Sequence, residues 1–155
     1  MTSRPLAEDR DELLREYQRS RERLLRAIDG LTDDQMTERT LDGWSICDHV
    51  AHITLWDELR ASEVERISAG HQSVWRMTEQ QDADLNAMGY EMRRSMSAEQ
   101  ARWELATSRE RLLAAIASAT PEGLDASRYG EAGLRSGHEA MHTEWIERWR
   151  REKGY

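Results

Sequence analysis

The sequence predicts an all-α protein: a four-helix bundle with an irregular, partly helical segment between its second and third helices. Three observations carry this. Leu, Ala, Glu and Arg dominate the 155 residues and there are only two prolines, a composition that favours helix. Apolar residues recur three and four apart along nearly the whole chain, with no alternating run long enough for a strand. Capping residues precede these runs, and glycine or proline follows them.

The first helix is expected from about Leu6 to Asp29. Leu13, Leu14, Tyr17, Leu24, Leu25 and Ile28 mark its buried side, and Gly30 stops it. The polar segment 31–43 follows, in which Thr32-Asp33-Asp34-Gln35 has the chemistry to cap one short turn. Ser45 is a good N-cap for the second helix and Asp48 stands at its third position, where a carboxylate favours the helix start. That helix runs to about Ala69, with Gly70 ending it. A loop holding Trp75 comes next, then a helical piece from about Asp82 to Arg94. Ser97-Ala98-Glu99-Gln100 is a capping-box pattern that opens a helix from Ala98 to Ala119, closed by Thr120-Pro121. The last helix is expected from about Leu134 to Glu152.

A chain of this length suits a single domain over 1–155 and buries roughly two-thirds of its unfolded surface without disulfide staples. Cys47 is its one cysteine, which fits a reducing compartment. The charged N-terminal stretch lacks the apolar core of a signal peptide, and no run approaches the roughly 18 apolar residues of a membrane span. A cytoplasmic protein without membrane contact is expected. The net charge is −8, which argues against nucleic acid as a partner, because phosphate needs a basic surface. The basic runs at 93–96 and 148–153 read as solvated helix faces.

The histidines carry the chemistry. His138 and His142 are four apart, about 40° around a helix, so their imidazoles share a face at a spacing that suits one divalent ion. His49 and His52 lie on the second helix, and one of them can supply a third nitrogen across the bundle. Three protein ligands and an open position form the pattern of a catalytic zinc-type site. His138, His142, Trp145 and Trp149 form one stripe, which suggests that it faces the bundle.

His138-Glu139-Ala140-Met141-His142 is also a literal H-E-x-x-H zinc-protease signature. The longer metzincin pattern wants glycine at 145 and histidine at 148, where the chain has Trp145 and Arg148. Only 13 residues follow His142, and no strand is expected to hold a peptide, so the protease reading is set aside.

Leu41-Asp42-Gly43-Trp44-Ser45-Ile46-Cys47-Asp48-His49-Val50-Ala51-His52-Ile53 resembles the W-S-x-x-D-x-x-A-H-I segment of the DinB-like (YfiT-like) superfamily. Asp82-Ala83-Asp84-Leu85-Asn86 is similar to that family's D-x-D-x-L-N segment with one residue fewer, and the final His-x-x-x-His resembles its last-helix metal motif. The resemblance implies an up-and-down-type four-helix bundle and a divalent metal held by His52, His138 and His142. His49 would sit beside the site or serve as an alternative ligand. It implies a metal-dependent transferase or hydrolase acting on a small molecule, with a low-molecular-weight thiol as a further cofactor, and a homodimer. Glu139 departs from the family pattern. About 100° from His138, it reads as a solvated helix carboxylate, with general base as the sharper alternative.

Three neutral imidazoles leave an ion its full charge, so either a thiolate or a hydroxide can serve as nucleophile, giving S-transfer, isomerisation or hydrolysis. Zn²⁺ or Ni²⁺ is expected, and imidazole also suits Fe and Cu. Cys47, about 140° around its helix from His52, reads as a passive residue. Trp56, Trp75, Met141 and Trp145 are candidates for an apolar pocket, and Asn86 for a substrate contact or a helix cap. The competing reading is a non-enzymatic bundle that binds a metal or ligand for sequestration, resistance or regulation. A fourth protein ligand, such as His49, would favour it. A third reading has no metal, with the histidines filling a dimer interface.

Overall fold

A computed structural model describes residues 7–155. Leu6, where the first helix is expected to start, and the N-terminal residues before it lie outside the described part. Six α-helices follow in order: α1 (Arg10–Ile28), α2 (Asp33–Thr37), α3 (Ile46–Ser68), α4 (Glu79–Arg93), α5 (Ala98–Ala117) and α6 (His138–Lys153). A 3₁₀ turn, Ala126–Arg128, interrupts the loop before α6. Among the described residues there is no strand, only an isolated bridge between Arg39 and Ser45. No described helix is long and apolar enough to cross a membrane.

The helix starts follow from side-chain chemistry. Asp9 caps α1, accepting from the Glu12 amide at 2.9 Å, so the helix begins later than Leu6. Ser45 and Asp48 form a complete capping box on α3, as Thr32 and Gln35 do on α2. Thr78 and Gln81 form another on α4, which lengthens the helical piece expected from Asp82 and turns most of the irregular segment into regular helix. The last helix begins at His138 and not at Leu134. Leu134 is fully buried, but in the loop, where its carbonyl accepts the Tyr17 hydroxyl at 2.5 Å.

The bundle consists of α1, α3, α5 and α6, with α3 packed along α5 and α1 along α6. α4 lies against α3 and has no buried residue. The core has two apolar layers. One holds Leu24, Ile28, Met36, Ile46, Val50, Leu105, Ile146 and Trp149. The other holds Leu13, Tyr17, Val64, Ile67, Leu112, Ile116 and Leu134. Gly130 lets the loop before α6 close on the loop before α4. A Cβ there would stand 2.2 Å from the Trp75 carbonyl oxygen, which accepts the Glu131 amide.

Candidate metal centre

His49 and His52 project from the first turns of α3, and His138 and His142 from the start of α6. The α3 turns are set by the Ser45–Asp48 box, with bonds of 3.1 and 2.9 Å. α6 has no side-chain cap at Gly137; instead the Ser136 hydroxyl accepts the His138 amide at 3.2 Å. The Trp44 ring lies against His49, His52 and His142 at centroid distances of 5.4, 5.6 and 6.4 Å, and stacks on Tyr90 of α4 at 5.3 Å.

Three imidazole nitrogens converge. His138 Nε2 lies 3.2 Å from His52 Nε2 and 3.1 Å from His142 Nε2. These three histidines form a group able to hold one metal ion. The donor set fits: nitrogens sharing a tetrahedral ion at about 2.0–2.1 Å stand about 3.3 Å apart. The protonation state fits as well. Burial, followed by the neighbouring His138 and His49, holds the His52 pKa down at about 4. Burial and then the Arg60 charge lower that of His138, and burial and then the other three histidines lower that of His142. The imidazoles are therefore neutral at pH 7, the form that binds a cation.

His49 is fully buried and stands outside this convergence. Its Nδ1 lies 2.8 Å from His142 Nδ1, and its Nε2 is 3.2–3.3 Å from the Asp42 carboxylate. Cys47 is buried, and burial followed by Asp48 raises its pKa to about 11, which makes it a poor nucleophile.

A cleft of about 200 Å³ opens beside His138, lined by Trp56, Arg60, Asp82, Asn86 and Glu131 among others. The Trp56 indole donates to Asn86 Oδ1 at 2.9 Å. Asn86 lies inside α4, and Thr78 caps that helix. Arg60 is buried, its Nε donating to the Ala132 and Gly133 carbonyls at 3.0 and 2.8 Å. The other pocket candidates lie elsewhere. Trp75 is half-buried in the loop before α4, and Met141 is exposed on α6. Trp145 packs edge-on to His142 at 5.0 Å but lines a separate groove with Leu41, Asp42 and Arg148.

Glu139 corrects the sequence reading. It is buried, not solvated, and belongs to an ion ring with one member from each bundle helix. Arg21 of α1 lies 2.7 Å from both Asp57 of α3 and Glu139 of α6. Arg109 of α5 lies 3.0 Å from Asp57 and 2.5 Å from Glu139. Burial alone would raise Asp57, but the Arg109 and Arg21 charges outweigh it and hold the carboxyl below its usual range. Both Glu139 oxygens are engaged by arginine, which leaves the general-base role without support. The ring was missed because its members are scattered over 118 positions; the only signal was charged residues on the apolar faces of their helices. Asp42 and Trp44 are further site residues that the sequence reading does not single out, although Trp44 opens the W-S motif and Asp42 stands two residues before it.

The sequence profile of the DinB superfamily matches residues 16–146. No curated protein matches the sequence. Among solved structures, an uncharacterised protein from Escherichia coli UTI89 superposes with a TM-score of 0.78, covering 96% of each chain at 15% identity; this likeness is one of fold.

Proposed function

The chain belongs to the DinB superfamily, and from that premise we propose that it is a metal-dependent enzyme acting on a small molecule by thiol transfer, isomerisation or hydrolysis. One observation carries the reading: three neutral imidazole nitrogens converge, and a cleft opens beside one of them, His138. A divalent cation there, Zn²⁺ or Ni²⁺, supplies the positive charge that brings the pKa of a thiol or water beside it toward neutrality. His52, His138 and His142 hold it. His49 turns its Nδ1 to His142 and closes no fourth position, which favours an enzyme over a sequestering bundle. Arg60 gives the cleft a cationic wall, and Asp82 and Glu131 give it acidic ones. That pattern suits a small molecule carrying both a carboxylate and an amine, as the thiols cysteine and glutathione do. Trp56 orients Asn86 so that its amide nitrogen is left to donate to a substrate.

The test is the metal content of untagged protein by plasma mass spectrometry, with His52→Ala and His142→Ala alongside. About one ion per chain, lost in both variants, supports the site and justifies screening thiols against electrophiles. No ion in the wild type, even after soaking with Zn²⁺ or Ni²⁺, overturns the reading.

A further inference from the structure

Asp42 and His49 form a chain of contacts that ends on one histidine of the cluster. The Asp42 carboxylate is fixed by its own turn: the Thr40 hydroxyl donates to Oδ1 at 2.5 Å and the Trp44 amide at 3.1 Å. Gly43, at φ +88°, allows the chain to turn there. His49 Nε2 faces this carboxylate at 3.2–3.3 Å, and His49 Nδ1 faces His142 Nδ1 at 2.8 Å. The His49 ring is fully buried, with the rings of Trp44 and Trp145 beside it at 5.4 and 6.1 Å.

Hydrogen-bond arithmetic assigns the protons. An ionised carboxylate only accepts, so His49 must donate from Nε2. A neutral imidazole that donates from Nε2 has its lone pair on Nδ1. That lone pair can accept only if His142 carries its proton on Nδ1. The His142 lone pair is then on Nε2, the atom 3.1 Å from His138 Nε2. We propose that Asp42 and His49 are positioning residues that lock His142 in the metal-binding tautomer and orientation. The role in metal affinity rests on the three-histidine reading above; the tautomer assignment does not. Partners of this kind typically change metal affinity 10–100-fold.

The experiment has two arms. Long-range ¹H–¹⁵N correlation on metal-free, histidine-labelled protein reads the tautomers directly. The expected result is Nε2–H on His49 and Nδ1–H on His142, with the preference weakened at both in Asp42→Ala. Zn²⁺ affinity, measured by competition with a chromophoric chelator, is expected to fall about 10-fold in Asp42→Ala and toward 100-fold in His49→Phe. Both should still bind one ion per chain at saturation. Asp42→Asn, which keeps an accepting oxygen, should recover part of the loss. Asp42 is partly exposed, so its variants test the idea even if His49→Phe, checked by circular dichroism, fails to fold. Unchanged affinity in Asp42→Ala, or Nε2–H on His142, overturns the proposal. So does loss of the ion in His49→Phe alone, which would make His49 a ligand. If the wild type binds no Zn²⁺, the function proposed above falls and the role in affinity with it; the tautomers still decide whether the chain of bonds exists.

Discussion

The ion ring and the histidine cluster grow from adjacent residues, Glu139 and His138, and yet they are opposite kinds of polar site. The ring joins two guanidiniums to two carboxylates, with a third buried guanidinium, Arg60, 3.8 Å from Asp57, and its members find their partners within the protein. Arg109 also donates to the Tyr17 carbonyl at 2.6 Å, Arg21 to the Leu105 carbonyl, and Ser108 donates to Asp57. It lies between the two apolar layers and ties all four bundle helices together. The cluster has three groups of the same kind, each aiming a nitrogen at the others. Such groups cannot neutralise one another, and burial has pushed them all to the uncharged form. A polar cluster whose opposite charges and donors are paired internally holds a fold together; one whose lone pairs converge with no donor among them is shaped for something from outside.

The sharpest way to break this contrast is Asp57→Ala. It leaves two buried arginines sharing Glu139 and should cost about 3–5 kcal/mol in urea unfolding. A loss under about 1 kcal/mol would mean that the ring is not the closed structural unit described above. Zinc should act on the other cluster. Free Zn²⁺ at 100 times its dissociation constant should add about 2.7 kcal/mol to the wild type and nothing to His52→Ala or His142→Ala. Equal stabilisation of the variants would place the metal elsewhere.

pH should separate the two clusters further. The histidines have folded pKa values below the ordinary imidazole value of 6.5, about 4 for His52, so the unfolded chain binds more protons between those values. Stability of the metal-free protein should therefore fall as pH drops from 6.5 toward 4. The ring's contribution through Asp57 is present above the ordinary carboxylate value of 3.8 and is lost only below it. Thermal scans across pH 7 to 3 should show the fall begin below about pH 6.5, and its upper part should be shallower, though not absent, in His52→Ala/His142→Ala, because His138 and His49 are also lowered by burial. The smallest effect is expected for Trp56→Phe, which removes the indole bond to Asn86 and should cost about 0.5–1.5 kcal/mol. Faster amide exchange confined to α4 would register it, and an unchanged α4 would show that this bond does not hold the helix to the cleft.

What the sequence determined by itself is local. Ser45 with Asp48 and Thr32 with Gln35 cap their helices through neighbours three residues away. The i, i+4 pair His138–His142 shares a face by helix geometry alone, so helices and paired ligands were legible. The family resemblance added His52 as their companion across the bundle. Leu134 misled because its apolar character suits a helix turn and a buried loop equally well, and only Tyr17, 117 positions away, decides between them. Tertiary structure alone decided the rest. Glu139 reads as solvated until Arg21 and Arg109 arrive from other helices to meet it. The cleft is assembled from α3, α4 and the loop before α6, and whether a tryptophan such as Trp56 or Trp145 borders it depends on how those elements pack. Periodicity and capping act over a few residues and are written in order along the chain; charge compensation, burial and the tautomer of a buried imidazole depend on which distant groups the packing brings within about 3 Å.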